Sequence, residues 1–256
     1  MKPVPFTLRG VSLLGALVLL SAVPCAAQDN VDGFVARVFS NVVRRTMPYR
    51  LFIPENYNKE KKYPLVLWLH GAGGAGSDNL RQIQEDQILG THVWTSPENQ
   101  ERFGAFVVAP QSMGTWTASG RTPLSQEMLM VLGIVDSLQS EFSIDPARLY
   151  VAGQSDGAFG VWNLIGNRPQ LFAAAIAVCG GGNPSLATRF AEMPIWVFHG
   201  DRDGTVPVDE SRRMVEALRK SGGKPRYAEY RSVGHDVWKL AFADPDLPEW
   251  LFSQHK

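Results

Sequence analysis

The pentapeptide G-Q-S-D-G at residues 153–157 constrains this chain more than any other stretch. It follows an apolar run at residues 149–152 and leads into a helical pattern at residues 158–166. A serine between two glycines at a strand-to-helix turn can be held in a strained backbone conformation that exposes its hydroxyl. G-x-S-x-G arises by chance in about one chain of this length in ten, but a chance match need not fall between a strand and a helix. The motif therefore predicts a nucleophile elbow with Ser155 as the nucleophile.

A serine nucleophile of this kind needs an acid and a histidine, which follow it along the chain in that order. An apolar run at residues 194–198 ends in His-Gly and is followed by a turn that contains Asp201, Asp203 and Asp209. Aspartate is common in turns for local hydrogen-bonding reasons alone. The residues by themselves therefore leave all three acids as candidates.

Five histidines compete for the role of the base. His70 and His199 each stand at the end of a predicted strand and before a glycine, a position that favours bracing of the loop backbone. We place His92 in a loop and His255 in the terminal tail. His235 follows the acids, in a loop after a further predicted strand, where its imidazole can reach both the nucleophile and an acid. The chain order thus predicts His235 as the base, with an ordinary surface-loop histidine as the alternative.

A glycine-rich loop, H-G-A-G-G-A-G from residue 70, follows the apolar run at residues 63–69. Glycines let backbone amides approach a reacting carbonyl closely, so we predict an oxyanion hole formed by the amides of Ala72 and Asp156. The loop also satisfies G-x-G-x-x-G, which is typical of dinucleotide-binding turns. That alternative is disfavoured because the next convincing strand, at residues 105–109, arrives later than a βαβ unit of about 30 residues requires.

Several longer segments resemble a known superfamily. The run H-G-D-R-D-G-T-V-P at residues 199–207 resembles the H-G-x-x-D-x-x-V-P pattern of many α/β-hydrolases, in which the aspartate four residues after the histidine is the triad acid. This resemblance selects Asp203, with Asp201 as the alternative. Together with the elbow, it makes nearly all of the chain after residue 27 similar to the α/β-hydrolase superfamily.

A closer resemblance is to secreted bacterial carboxylesterases of the "predicted peptidase" group, which are related to polyhydroxybutyrate depolymerases and feruloyl esterases. It is carried by L-V-L-W-L-H-G-A-G from residue 65, W-T-S-P-E-N-Q from residue 94, F-V-V-A-P-Q from residue 106 and L-P-E-W-L-F from residue 247. The resemblance implies hydrolysis of an ester through a covalent acyl-serine, without a cofactor.

Asp156 departs from the family pattern, in which the residue after the nucleophile is usually Met, Gln or Leu. Its amide can still donate to an oxyanion. A carboxylate beside developing negative charge opposes catalysis unless it points away or pairs with a cation. We interpret it as a carboxylate that caps the following helix, with a substrate contact as the alternative.

The first 27 residues have the pattern of a cleaved signal peptide. Lys2 and Arg9 precede an apolar core at residues 11–20, which is too short to span a membrane, and small residues precede Gln28. We therefore expect cleavage after Ala27, a secreted or periplasmic protein, and one catalytic domain over residues 28–256. Lipid attachment at Cys25 is an alternative that the preceding Val-Pro fits poorly.

Charge and cysteine content exclude several classes of partner. The chain has 25 basic and 25 acidic residues, and loss of Lys2 and Arg9 with the leader leaves 23 basic residues and a formal charge of −2. Such a balance favours neither nucleic acid nor an anionic membrane as a partner. The mature chain would keep one cysteine, Cys179, so no intrachain disulfide is expected, and the scattered histidines lack metal-ligand spacing. We expect a monomer, with an oligomer left open.

The hydrophobic periodicity predicts one α/β domain. Residues 35–39 and 49–53 resemble an opening antiparallel strand pair. Further strand patterns then alternate with helical ones, which implies a mainly parallel central sheet with helices on both faces, the α/β-hydrolase fold. The strand patterns lie around Leu65, Phe106, Leu149, Ala174, Ile195 and Tyr227, and the clearest helical ones cover residues 125–141 and 209–220.

Substrate contacts are the least constrained prediction. Trp94, Gln111, Trp116 and Trp162 are candidates for lining a pocket, because aromatic rings supply apolar or sugar-stacking area; core packing is the alternative. The ester could be a short aliphatic ester, a feruloyl or acetyl ester on a polysaccharide, or a polyester, presented as a small molecule or on a polymer. A serine peptidase and a non-catalytic binding protein on a hydrolase fold are the other classes left open.

Overall fold

The computed structural model describes residues 30–117 and 123–256, so the predicted leader and its cleavage site lie outside the described residues. Within them, nine strands form one sheet in the order β1-β2-β3-β5-β4-β6-β7-β8-β9. The strands are β1 Asn30–Val31, β2 Phe34–Ser40, β3 Thr46–Phe52, β4 Tyr63–Leu69, β5 Phe106–Pro110, β6 Ile144–Gln154, β7 Ala174–Val178, β8 Ile195–Gly200 and β9 Arg226–Tyr230.

The sheet divides into an antiparallel edge and a parallel body. Strands β1, β2, β3 and β5 pair antiparallel, and from β5 to β9 the neighbouring strands are parallel. Connections between parallel strands run through helices, which therefore cover the sheet. The helices are α1 Ile88–Thr95, α2 Pro97–Phe103, α3 Gln126–Glu141, α4 Asp156–Asn167, α5 Asp209–Lys220, α6 Trp238–Ala241 and α7 Leu247–Phe252.

Each face of the sheet is buried beneath its own helices. Successive side chains of a strand point to opposite faces, and in β4 Leu65 and Leu67 join one core while Val66 and Trp68 join the other. The first core also contains the apolar stripes of α3, α4 and α5, and the second contains side chains of α1, α6 and α7. The sequence therefore predicted the α/β-hydrolase fold class correctly, because a strand buried on both faces is apolar at nearly every position.

The clearest helical patterns correspond closely to observed helices. The pattern at residues 209–220 matches α5, and α3 begins one residue after Ser125, whose side chain accepts a hydrogen bond from the amide of Met128. Strand β6 is longer than predicted, because it begins at Ile144, which pairs with Tyr63 of β4. These differences lie at element ends, where tertiary contacts extend a local preference.

The placement of His92 in a loop was wrong. His92 and Trp94 belong to α1, which is followed by α2. Helix α1 contains Gly90, a residue with poor helix propensity, and this obscured the helical pattern. The structure requires that glycine, because a Cβ atom there would lie 2.0 Å from the ring of Trp68.

None of the helices among the described residues has the length and hydrophobicity needed to cross a bilayer.

Candidate active site

Ser155 occupies a sharp turn between β6 and α4. Its φ of 53° and ψ of −120° lie in a region that a residue with a side chain rarely adopts, so the turn stores strain. The two glycines of the motif permit close packing around it. A Cβ on Gly157 would lie 1.9 Å from the carbonyl oxygen of Leu69, and one on Gly153 would lie 2.5 Å from the carbonyl oxygen of Gly157. Steric exclusion thus explains why both flanking residues are glycine.

Three side chains that are distant in the sequence meet above this turn. His235 Nε2 lies 2.9 Å from Ser155 Oγ, and His235 Nδ1 lies 2.7 Å from Asp203 Oδ2. Ser155 follows β6, Asp203 follows β8, and His235 begins a short 3-10 helix after β9. Because these strands are parallel, their carboxyl ends share one edge of the sheet. The arrangement has the geometry of a hydroxyl, imidazole and carboxylate relay.

The Asp203 carboxylate is buried and held by several donors. Its Oδ1 accepts hydrogen bonds from the amides of Thr205 and Val206, at 2.9 and 2.8 Å. Burial alone would raise the pKa of this carboxyl, but hydrogen bonds from His235 and from the two amides outweigh burial and lower the pKa below its ordinary value. Asp203 is therefore ionised and able to orient His235.

The other candidate acids lie away from the histidine. Asp201 Oδ1 accepts a hydrogen bond from the amide of Ser232, and Asp209 pairs with Arg212 on the surface of α5. Both carboxylates thus have local partners of the kind that turns and helix surfaces favour. Of the three acids in this loop, the structure brings Asp203 to His235.

Two other histidines support the loops around the site. His199 Nδ1 lies 2.7 Å from Ser211 Oγ, and its Nε2 lies 2.9 Å from the carbonyl oxygen of Val206. Burial lowers the pKa of His199 below its ordinary value. His70 Nδ1 lies 2.7 Å from the carbonyl oxygen of Gly71, and its Nε2 accepts a hydrogen bond from the Ser112 amide at 3.0 Å.

The glycine-rich loop after β4 lies against the elbow. A Cβ on Gly71 would be 3.4 Å from the Ser155 Cβ, so the loop passes directly beside the serine. Ala72 begins a 3-10 helix and Asp156 begins α4. The first amides of a helix have no partner inside that helix, so both N–H groups are suitable donors to an anion.

The side chain of Asp156 does not cap α4. Its Oδ1 accepts a hydrogen bond from Thr115 Oγ1 at 2.7 Å, and its Oδ2 accepts one from the Trp116 amide at 3.1 Å. The carboxylate therefore ties the elbow to the loop after β5. This is a different contact from the helix cap expected from the sequence, and it is fixed by the path of a distant loop.

The structure assigns core positions to the side chains expected to contact substrate. Trp94 is fully buried and packs edge-on against Phe252, and Trp116 is fully buried with its indole N–H donated to the His70 carbonyl. Gln111 is buried and bonded to the loop that follows β4, through Gly74, Asp78 and Asn79. These three side chains are buried and contact other parts of the fold, and a role for them in substrate contact stays a prediction.

A cavity of about 290 Å³ lies beside the first turn of α4. Phe159 and Trp162 supply aromatic walls, and Gly181 and Gly182 form part of the lining, together with Thr117, Asn163, Asn183 and Leu186. Phe159 lies in the first turn of α4, and its amide donates a hydrogen bond to the carbonyl oxygen of Ser155 at 3.2 Å. Of these lining residues, only Trp162 was a candidate from the sequence; the position of Phe159 four residues after the predicted nucleophile is the signal that could have found it.

Cys179, Asp203 and His235 form the group of potential metal ligands found among the described residues, with ligand atoms within 4.8 Å of one another. The Cys179 thiol is buried, and burial raises its pKa well above the ordinary value. A metal ion there would need the thiolate and would compete with the 2.7 Å contact between Asp203 and His235.

A mainly parallel sheet with a serine at a strand-to-helix elbow defines the α/β-hydrolase class. Residues 40–244 match the family model described as "Putative esterase". The chain therefore belongs to this esterase family and is a carboxylesterase-type hydrolase.

Similar proteins include esterases and a poly(3-hydroxyalkanoate) depolymerase by name. "Probable feruloyl esterase C" of Aspergillus niger is 25% identical over 199 residues, which cover 75% of this chain and 68% of the relative. Poly(3-hydroxyalkanoate) depolymerase C of Paucimonas lemoignei is 31% identical over 127 residues, which cover 46% of this chain and 28% of the relative. A crystal structure of a thermostable esterase is 39% identical with a TM-score of 0.84, and the match covers 88% of this chain and 64% of that one.

Proposed function

We propose that the protein is a secreted serine carboxylic-ester hydrolase in which Ser155, His235 and Asp203 act as the catalytic triad. The observation that carries the proposal is the pair of contacts at 2.9 and 2.7 Å that joins the three side chains. Membership of the esterase family supports the reaction class. The site lies at the carboxyl edge of the parallel strands, where the loops of open α/β sheets form their binding crevices.

In the proposed reaction, Ser155 Oγ attacks the acyl carbon while His235 Nε2 accepts its proton. The ionised Asp203 accepts the hydrogen bond from Nδ1–H, which holds the imidazole in the productive tautomer and stabilises the imidazolium. The amides of Ala72 and Asp156 donate to the oxyanion of the tetrahedral intermediate. The imidazolium then protonates the departing alkoxide, which leaves an acyl-serine. Water attacks this ester with His235 again as the base, and the acid is released.

The cavity beside α4 is the proposed acyl site. Phe159 lies one helical turn from Ser155, and a volume of about 290 Å³ suits a short aliphatic or a single-ring aromatic acyl group. The aromatic walls, together with the similarity to a feruloyl esterase, favour hydroxycinnamoyl esters as a second candidate substrate class. The similarity to a polyester depolymerase supports polymer-borne esters as the other alternative.

The leader at residues 1–27 supports secretion, and we propose residues 28–256 as the mature catalytic domain. The near-neutral charge of this part supports an uncharged ester, small or polymer-borne, as its partner. We propose a monomer that needs no cofactor.

The decisive test is hydrolysis of p-nitrophenyl butyrate by the wild type and by Ser155→Ala. We expect loss of at least about a thousandfold in kcat for Ser155→Ala, because the nucleophile and the relay are lost together. Ser140→Ala, which changes an exposed serine on α3, is the matched control and should keep wild-type turnover. Wild-type turnover by Ser155→Ala would refute the assignment.

Two further assays separate the alternatives. Labelling by a fluorophosphonate at Ser155 supports an activated serine, and absence of labelling in folded protein would favour a non-catalytic binding protein. A panel of p-nitrophenyl acetate, p-nitrophenyl butyrate, methyl ferulate, acetylated xylan, polyhydroxybutyrate and chromogenic peptides then identifies the substrate class. Phe159→Ala should alter kcat/KM for methyl ferulate more than for p-nitrophenyl acetate, because only the larger acyl group reaches the aromatic wall.

A further inference from the structure

We propose that Asp156 is a positioning residue for the oxyanion hole. Its own amide is one of the two proposed donors, and its carboxylate sets the direction of the other, the Ala72 N–H, through a chain of hydrogen bonds that leads from the surface into the core. This inference rests on the proposed function, because it concerns how that site is oriented.

The chain of contacts begins beside the nucleophile. The two oxygens of the Asp156 carboxylate accept hydrogen bonds from Thr115 Oγ1 at 2.7 Å and from the Trp116 amide at 3.1 Å. The Thr115 side chain is exposed and the Trp116 side chain is fully buried. The carboxylate therefore determines where the backbone of residue 116 lies, and with it the buried indole.

The indole then holds the strand end that leads into the oxyanion loop. Trp116 Nε1–H donates to the carbonyl oxygen of His70 at 2.8 Å, and the centroids of the two rings are 4.7 Å apart. The N–H of the same peptide, that of Gly71, donates to Gln87 Oε1 at 2.8 Å. The His70–Gly71 peptide is thus fixed at both its oxygen and its nitrogen.

The next peptide carries the proposed donor. Its carbonyl oxygen, on Gly71, lies 2.7 Å from His70 Nδ1 and accepts a hydrogen bond from the Gly74 amide at 2.9 Å. His70 Nε2 accepts a hydrogen bond from the Ser112 amide, so Nδ1 carries the proton and donates to this oxygen. A trans peptide is planar, so fixing the Gly71 oxygen on one side directs the Ala72 N–H to the other.

Two effects of the carboxylate oppose each other. Its negative charge near the oxyanion raises the barrier by repulsion, whereas its hydrogen bonds keep the Ala72 amide aligned. We expect the alignment of the Ala72 amide to affect kcat more than the repulsion does, because both carboxylate oxygens accept hydrogen bonds from the loop after β5. Asp156→Asn separates the two effects, since the amide keeps an acceptor for the Trp116 N–H and a polar partner for Thr115 without the charge.

The test compares Asp156→Ala, Asp156→Asn and Thr115→Val on p-nitrophenyl butyrate, with inhibition by butylboronic acid as a second readout. For Asp156→Ala we expect kcat to fall by about 10- to 100-fold with KM within about threefold, because a misdirected donor weakens only the transition state. The boronate, which forms a tetrahedral adduct at the serine, should bind more weakly by a similar factor. Asp156→Asn should recover most of the loss. Thr115→Val, which removes one of the two donors to the carboxylate and keeps the contact to the Trp116 amide, should lower kcat by about threefold, less than Asp156→Ala does.

Several results would overturn the proposal. A kcat for Asp156→Ala equal to or above that of the wild type would mean that repulsion dominates or that the carboxylate has no effect. A loss in kcat without weaker boronate binding would mean that the donors had not moved. If Asp156→Ala does not fold, Trp116→Phe decides, because it removes the N–H donated to His70 together with part of the buried ring; we expect about a tenfold loss of both kcat and boronate affinity in the folded variant.

Failure of the proposed function gives a different result. In that case Ser155→Ala turns over the ester as the wild type does. If Ser155→Ala is inactive while Asp156→Ala and Trp116→Phe behave as the wild type, the triad stands and only the positioning role is wrong.

Discussion

The buried His70 should make the stability of this protein fall as the solution becomes mildly acidic. The side chain is fully buried at the end of β4, and burial lowers its pKa from 6.5 to about 4. Protonation would turn Nε2 from an acceptor into a donor facing the Ser112 amide at 3.0 Å. The folded protein therefore strongly favours the neutral ring.

The direction and the pH window follow from this lowered pKa. In the unfolded chain the histidine binds a proton more readily than in the fold, so the free energy of unfolding falls as the pH falls from about 6.5 to about 4. Between about pH 7 and pH 5 the expected loss from this one residue is about 2 kcal/mol. The lowered pKa of His199 acts in the same direction, so the wild type alone does not isolate His70.

Urea unfolding at about pH 7 and pH 5 measures the effect when the wild type is compared with His70→Gln. Glutamine retains an acceptor for a nearby amide and does not titrate, so the variant should lose about 2 kcal/mol less than the wild type over this pH interval. His255→Gln, at an exposed histidine near the end of the chain, is the matched control and should follow the wild type. Equal losses in the wild type and His70→Gln would refute the reasoning, whatever the absolute stability of the variant.

Asp203→Asn should lower kcat for p-nitrophenyl butyrate by about 10⁴-fold while the fold stays intact, whereas Asp201→Asn should keep kcat within about tenfold of the wild type. Similar losses of kcat in both variants would contradict the choice of Asp203 as the acid. Gly157→Ala should prevent folding or lower the melting temperature steeply, because its Cβ would lie 1.9 Å from a carbonyl oxygen of β4. Gly114→Ala, with no atom within 4 Å of the added Cβ, should melt as the wild type does. Cys179 is buried, and burial raises the pKa of its thiol, so it should react with a disulfide reagent only after unfolding. Rapid reaction in the native state would contradict its burial.

Asp156 shows most clearly which contacts of the site can be predicted from the sequence and which cannot. The sequence predicts its amide as an anion donor, because the residue after an elbow serine begins a helix. The partners of its carboxylate were not, because Thr115 and Trp116 reach it from a loop 40 residues earlier in the sequence. A helix cap was the reasonable local expectation, and a non-local contact replaced it.

The tryptophans also could not be assigned to a pocket or to the core from the sequence alone. An exposed aromatic residue in a pocket and a buried one in a core have the same local sequence signature, and Trp94 and Trp116 are buried. Phe159 was not singled out from the sequence, although it lies only four residues after the predicted nucleophile and lines the cavity beside α4. The helical character of residues 88–95 was hidden by Gly90, whose presence depends on the ring of Trp68 on β4.

From the sequence alone, the fold class, the clearest strands and helices, and the candidate side chains of the relay could be predicted. These are readable because periodicity, turn chemistry and the glycines around Ser155 act through the local backbone. The structure showed that Asp203, the acid favoured by the family resemblance, contacts His235, that the Asp156 carboxylate is bonded to the loop after β5, and that a cavity lies beside α4. Those outcomes depend on how the carboxyl ends of several parallel strands converge, and that convergence is a property of the packed sheet.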